Sequence, residues 1–342
     1  MIVRRHSRDY NFYGDTETGI TMRWGGTPRS DPAYAPWPEL ADISISNRCS
    51  KGCGFCYRDS KADGPLMTAG QYESVLAALH SERWGSVFQV ALGGGEPLEH
   101  PDFPEIIRKT CEKGIVANFT TNGRYLDEKM IGFLKGKIGA LAISVGEIGE
   151  LDQAALKLLA NAGIKTNLHF ILDRQSIGEA INILQGKYNG SLETVNGVVF
   201  LTYKPGGRAE ADKCLNMDAP LEEFTGLIDK SRCVSRIGFD ACFVPILMKH
   251  TEINTDYVDS CECGFFSVYI DERLNVKPCS FGGADGFAFN LNEYDMTTIW
   301  NAKYDAYRKE ILKNKCASEC KNKAACRGKC YCFDALPLCY AV

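Results

Sequence analysis

Six short apolar runs separated by stretches of helical spacing occupy residues 41–203, and they restrict the fold more than anything else in the chain. The first, 41–46, alternates apolar and polar residues as a half-buried strand does. The others, 87–92, 115–120, 140–145, 165–172 and 197–203, have strand length and β-branched content. Helical stretches lie between them. One begins at Thr68, where Thr68 and Gln71 have capping-box spacing, and is expected to run to about Gly85. Another, 152–162, meets its stop at Gly163. Strands alternating with helices demand parallel pairing and crossover connections, so the expectation is an α/β fold with a parallel sheet curled into a partial barrel. Ahead of it, 9–24 reads as a β-hairpin with Gly14 and Gly19 inside. Beyond about residue 215 the alternation ends, and an acidic helix over 221–230 leads into cysteine-dense sequence.

In barrels of this kind chemistry gathers at the C-terminal ends of the strands. The first strand runs into Cys49, Cys53 and Cys56, a CxxxCxxC loop that supplies three thiolates from eight residues. Three soft ligands suit an iron–sulfur cube with one iron left open, whereas structural zinc usually takes four ligands. The second strand ends in Gly93, Gly94, Gly95 and Glu96, followed by Pro97 and Leu98. Glycines let a ligand approach the backbone, and Glu96 can accept a charge-assisted hydrogen bond. Asn122 follows the third strand, Ser144 ends the fourth, His169 lies in the fifth and Arg208 follows the sixth.

The chain has 16 cysteines, and nine of them fall between Cys261 and Cys339. Disulfides are disfavoured in a reducing compartment, and clustered spacing points instead to metal. The tail carries Cys261, Cys263 and Cys279, then Cys316, Cys320, Cys326, Cys330, Cys332 and Cys339. On spacing alone a zinc ribbon remains open beside iron–sulfur clusters. A formal net charge of −4 gives no broad footprint for nucleic acid, and Lys313, Lys315, Lys321 and Lys323 read as a solvated face. No signal-like or membrane-spanning apolar run is seen, so a cytoplasmic protein with no membrane partner is expected.

These motifs together resemble the radical S-adenosylmethionine (SAM) superfamily. The resemblance covers 41–208, with CxxxCxxC followed by the aromatic Tyr57, and with Gly93-Gly94-Gly95-Glu96-Pro97 one β/α unit later. It implies a [4Fe–4S] cluster on Cys49, Cys53 and Cys56, and a SAM site formed by Tyr57, the glycine loop, Glu96, Asn122, Ser144, His169 and Arg208. The tail resembles the SPASM extension of peptide-modifying members, which carries auxiliary [4Fe–4S] clusters. By that resemblance one cluster takes Cys316, Cys320, Cys326 and Cys339. The other takes Cys261, Cys279, Cys330 and a fourth ligand, Cys242, with Cys263 as the alternative. Two departures are visible: Leu274 stands where the pattern has glycine, and Cys316 and Cys320 are separated by three residues rather than two.

The implied fold is a partial (β/α)6 TIM-like barrel with a C-terminal cysteine-rich, SPASM-like domain. Its segments are 1–40 (an N-terminal β-hairpin segment), 41–215 (the barrel) and 216–342 (the auxiliary-cluster domain). The implied chemistry is reductive cleavage of SAM and hydrogen abstraction by a 5′-deoxyadenosyl radical. The substrate expected is a ribosomally made peptide, crosslinked or epimerised. A separate peptide chaperone and a one-electron reductant such as ferredoxin or flavodoxin are the expected partners. Sulfatase-type maturation and modification of a quinone or haem precursor stay open, as do two readings of other classes, an iron–sulfur electron carrier and a zinc-stapled interaction protein. A carrier has no use for the Gly93–Glu96 loop. Cys263 or Cys332, if free near the site, would suit hydrogen-atom donation or crosslinking.

Overall fold

The computed structural model describes residues 1–216, 218–254, 258–282, 286–313 and 330. Its strands are β1 Ile2–His6, β2 Asn11–Asp15, β3 Thr21–Trp24, β4 Leu40–Ser46, β5 His80–Ser81, β6 Gly85–Ser86, β7 Gln89–Gly94, β8 Val116–Thr121, β9 Ala140–Val145, β10 Thr166–Leu172, β11 Gly197–Thr202, β12 Arg236–Phe239, β13 Ser267–Ile270, β14 Asn275–Lys277 and β15 Phe289–Asn290. The principal helices are α1 Ala69–Ala78, α2 Phe103–Glu112, α3 Glu128–Leu134, α4 Gln153–Asn161 and α5 Ile177–Leu184. One ten-stranded sheet has the order β12-β11-β10-β9-β8-β7-β4-β13-β14-β15. The six expected strands, β4 and β7 to β11, pair parallel in sequence order and form the partial α/β barrel. The sheet is longer than expected at both edges. β12 adds parallel to β11, and β13 returns from later sequence to lie parallel to β4.

Side-chain alternation explains how β4 serves two surroundings. Ala41, Ile43 and Ile45 are fully buried in one core with Val75, Leu76 and Leu79 of the α1 region and Ile106 and Ile107 of α2. Asp42, Ser44 and Ser46 take the other face, toward the lumen. The capping box of α1 forms as expected: the Gln71 N–H donates to Thr68 Oγ1 at 3.2 Å, and the Thr68 N–H donates to Gln71 Oε1 at 2.9 Å. The helix nevertheless ends at Ala78, well short of Gly85, because the β5–β6 hairpin occupies the interval and Gly85 (φ +73°) closes its turn. The 152–162 helix is α4, capped by Asp152, whose carboxylate accepts from two backbone N–H groups. The acidic helix spans Ala219–Ile228.

The 9–24 hairpin forms as β2 and β3, and β1 joins it as a third strand. Its turn reaches the N-terminal end of the barrel, where Thr18 O accepts from Lys165 Nζ at 2.8 Å. The opposite, C-terminal end of the strands is left open for a site. No helix among the described residues is long and apolar enough to cross a membrane.

Candidate functional site

At the C-terminal ends of β4 and β7 to β11 lies a cavity of about 360 Å³. Cys49, Cys53, Cys56, Tyr57, Gly93, Gly94, Gly95, Glu96, Asn122, Ser144 and His169 all line it. Residues up to 120 positions apart in sequence are brought together because they lie in, or just after, neighbouring strands of one sheet.

The cysteine loop and the glycine loop are laced through their backbones. The Gly95 N–H donates to Ser46 O at 2.6 Å, and the Glu96 N–H donates to Arg48 O at 2.7 Å. This closeness is what glycine permits. A Cβ on Gly94 (φ +108°) would stand 2.1 Å from Ser46 O, and one on Gly95 would stand 2.1 Å from Arg48 O. A Cβ on Gly93 would meet nothing within 4 Å and would project into open space.

Glu96 is 1% exposed. Its Oε1 accepts from the Leu98 N–H at 3.0 Å and the Thr121 hydroxyl at 2.7 Å, and Oε2 accepts from the Asn122 N–H at 2.6 Å. Burial raises its pKa, and these donors oppose the rise. The carboxylate keeps a lone pair on Oε2 for one further donor. Two donors reach the cysteine sulfurs: the Ser60 N–H at 3.4 Å from Cys56 Sγ and Asn122 Nδ2 at 4.0 Å from Cys49 Sγ.

Arg208 stands elsewhere. It does not line the cavity but grips the cysteine loop from outside, donating from Nε to Cys53 O at 3.1 Å and from Nη1 to Ser60 O at 2.8 Å and Asp59 at 2.9 Å. Its geometry is that of a clamp on the cysteine loop.

His169 sits beside Ser144 in the β9–β10 register, and burial lowers its pKa to about 4. The imidazole is therefore neutral near pH 7. The unfolded chain binds this proton first, near pH 6.5, so its contribution to stability is complete above that pH and is lost as pH falls toward 4. Relative to a His169→Gln variant, the wild type should lose about 3 kcal/mol between pH 6.5 and 4. Urea midpoints of both proteins across that range measure it, and parallel curves would refute the neutral imidazole.

The far wall of the cavity went unnoticed in the sequence. Lys204 Nζ pairs with Asp240 Oδ2 at 2.6 Å and donates to Thr202 O at 3.0 Å, while the Thr202 hydroxyl donates to Asp240 Oδ1 at 2.7 Å. Asp240 holds the Lys204 ammonium firmly charged despite burial. Tyr57 stacks on Phe281, with ring centroids 4.2 Å apart. Asp42 also faces the cavity, and burial, reinforced by Cys279, lifts its pKa to about 7 against the pull of Arg58. An aspartate in the middle of a strand is uncommon, and Asp42 was the signal available.

Of the tail cysteines, the Cys263 thiol shares hydrogen bonds with Cys261 and Cys279, and Cys242 with Cys330. These contacts, with burial behind them, raise the pKa of both Cys242 and Cys263. Cys316, Cys320, Cys326, Cys332 and Cys339 lie outside the described residues. Among the described residues, no three His, Cys, Asp or Glu side chains are grouped to hold a single metal ion. Cluster ligands bind separate irons and need not converge on one point. Three thiolates around an open cavity, two of them receiving hydrogen bonds, suit an iron–sulfur cluster with an exchangeable position.

Residues 43–151 match the Radical SAM superfamily. The chain is 25% identical over 213 residues to PqqA peptide cyclase of Granulibacter bethesdensis, covering 55% of this chain and 54% of that one. It is 28% identical over 258 residues to Fe-coproporphyrin III synthase of Methanosarcina barkeri, covering 67% and 62%. It thus spans about half to three fifths of these relatives. In fold it is similar to Streptococcus suis SuiB, solved bound to the precursor peptide SuiA, with a TM-score of 0.74, 16% identity and coverage of 97% and 94%.

Proposed function

We propose that this chain, whose residues 43–151 form a radical SAM superfamily domain, is an enzyme that cleaves SAM reductively and abstracts hydrogen from a peptide. The observation that carries the reading is the cavity in which Cys49, Cys53 and Cys56 face Gly93, Gly94, Gly95, Asn122, Ser144 and His169. When bound, a [4Fe–4S] cluster and SAM supply the one-electron chemistry that makes a hydrogen-abstracting 5′-deoxyadenosyl radical.

The residues divide the remaining work. Cys49, Cys53 and Cys56 hold the cluster and leave one iron for SAM. The Ser60 N–H and the Asn122 amide withdraw charge from two of the thiolates. Glu96 braces the glycine loop against the end of β8 and reserves a lone pair for the SAM ammonium. Gly93 leaves room for SAM against the backbone, and neutral His169 with Ser144 faces its polar portion. Arg208 fixes the curvature of the cysteine loop.

For the auxiliary clusters, contacts of Cys263 with both Cys261 and Cys279 favour Cys263 over Cys242 as the fourth ligand beside Cys330. Cys316, Cys320, Cys326 and Cys339 complete the other cluster in this reading. Peptide as substrate is supported by the name of the PqqA relative and by a fold shared along nearly the whole chain with a structure that binds a precursor peptide. A porphyrin-type substrate is the second reading, favoured by the similarity to Fe-coproporphyrin III synthase. A peptide chaperone and a ferredoxin- or flavodoxin-like reductant fit the first reading, as does a reducing cytoplasm.

Anaerobic reconstitution tests it. About twelve irons are expected, falling by about four in a Cys49/Cys53/Cys56→Ala variant. That variant should form no 5′-deoxyadenosine from SAM and reductant, while the wild type does. Cys263→Ser should lower auxiliary iron more than Cys242→Ser. Zinc without iron, and no 5′-deoxyadenosine, would sink the proposal.

A further inference from the structure

Five charged side chains line the cavity: Asp42, Lys51, Glu96, Lys204 and Asp240. Lys51 is matched by Glu150 at 2.8 Å, and Lys204 by Asp240 at 2.6 Å. Glu96 is held by three donors and is reserved for the SAM ammonium in the reading above. Asp42 alone is left over. Its carboxylate accepts no hydrogen bond among the described residues. The cation that acts on it, Arg58, is committed elsewhere: its guanidinium donates to Glu272, to Ser44 Oγ and to the Tyr269 hydroxyl.

Asp42 is partly buried, and a carboxylate without a hydrogen-bond partner there gains from a cation that pairs with it. Asp42 sits mid-strand on β4, register-matched to Ala91 and Tyr269, so it cannot swing out to solvent. The cavity lining also presents Tyr57, Tyr269, Phe281, Ile171 and Leu201, with Lys204 Nζ 4.9 Å from the Phe281 ring centroid. Such walls accept the methylenes of a long side chain whose charged end needs an anion at the bottom.

Resting on the radical SAM reading, we infer that Asp42 is the anchor of a substrate subsite for a basic side chain, an ammonium or guanidinium carried by the peptide. The subsite lies at the β4–β13 side of the cavity. No bond is made or broken there; Asp42 positions the basic residue by charge and hydrogen bonding. The unneutralised carboxylate and the apolar walls select against acidic residues at that point.

The test uses reconstituted full-length protein with SAM bound and three probes, Ac-Gly-Gly-Xaa-Gly-Gly-NH2 with lysine, norleucine or glutamate as Xaa, titrated calorimetrically at pH 8, where the Asp42 carboxylate is ionised. The lysine probe should bind at least about tenfold more tightly than norleucine, about 1.4 kcal/mol, and glutamate most weakly. Asp42→Asn should erase the lysine preference, and Asp42→Lys should transfer it to glutamate. Equal binding of lysine and norleucine, no measurable binding of any probe, or a preference that survives Asp42→Asn overturns the inference. So does a loss of SAM affinity in Asp42→Asn, which would assign Asp42 to SAM instead. Formation of 5′-deoxyadenosine by the wild type separates the two failures. If it forms without any charge preference, only the subsite falls; if it does not form, the enzyme reading falls.

Discussion

Gly95→Ala should destabilise the protein by at least about 3 kcal/mol, while Gly93→Ala leaves stability unchanged and weakens SAM binding. The two glycines are two residues apart in one loop, but a methyl group at each meets different surroundings. At Gly95 it would lie 2.1 Å from Arg48 O, 2.6 Å from Arg48 C and 2.8 Å from Arg48 N. All three are backbone atoms of the cysteine loop, and none can rotate away as a side chain would. The hydrogen bonds from Gly95 to Ser46 O and from Glu96 to Arg48 O must break for the loop to move. At about 2–4 °C per kcal/mol, the melting temperature should fall by at least about 6–12 °C, with iron lost from the first site. At Gly93 the methyl group meets nothing within 4 Å, because it points into the cavity. Gly93→Ala should therefore melt within about 2 °C of wild type and bind SAM at least about tenfold more weakly by equilibrium dialysis. A Gly95→Ala protein that melts like wild type would mean the two loops are not laced as described. Undiminished SAM binding by Gly93→Ala would move the ligand off that wall.

Much of the barrel was readable because parallel strands buried on both faces leave continuous apolar runs, and helices between them leave capping boxes and glycine stops. The expected strand over 140–145 coincides with β9, and the other five agree within about two residues at each end. β12 escaped notice because Arg236-Ile-Gly-Phe is four residues with a glycine and no alternation to detect. Arg208 shows a different limit. Its turn was noticed, but nothing in sequence says which side of the cysteine loop a side chain 152 positions after Cys56 will take. The far wall was hidden for the same reason: Lys204 finds Asp240, and Tyr57 finds Phe281, only through the sheet.

Leu274 shows a motif departing in residue type but not in geometry. Where the auxiliary-cluster pattern has glycine, this chain places leucine, and its backbone still adopts φ +67°. The turn between β13 and β14 enforces it: the Leu274 N–H donates to Asp271 O at 2.9 Å, and Asp271 Oδ1 accepts from the Arg273 and Asn275 N–H groups. A left-handed leucine costs about 1–2 kcal/mol, and burial of its side chain to 7% exposure returns about 2 kcal/mol. Glycine is thus the cheaper solution to a geometric demand, and leucine is workable where the core can take it.

That same turn carries Glu272, and removing its carboxylate should be strongly destabilising. Glu272 and Arg58 form an ion pair whose side chains are 7% and 10% exposed. Glu272 also accepts from the Ser44 hydroxyl at 2.9 Å. Arg58 follows Cys56 by two residues, so this pair ties the first cysteine loop to the β13–β14 turn, where Glu272 lies seven residues before Cys279. Glu272→Ala leaves a buried guanidinium whose Nε already lacks a partner, a loss of about 3–5 kcal/mol. Arg58→Met with Glu272→Leu removes both charges together and should recover most of that loss, since well-packed apolar residues replace buried ion pairs at little cost. The decisive comparison is iron retention. If the pair transmits position between the two loops, Glu272→Ala loses iron from the first site even under conditions where its fold is retained by circular dichroism, and the double variant stays folded yet holds that iron less tightly than wild type. If Glu272→Ala costs less than about 1 kcal/mol, or keeps its iron as well as wild type, the two loops are positioned independently and the contact is only local.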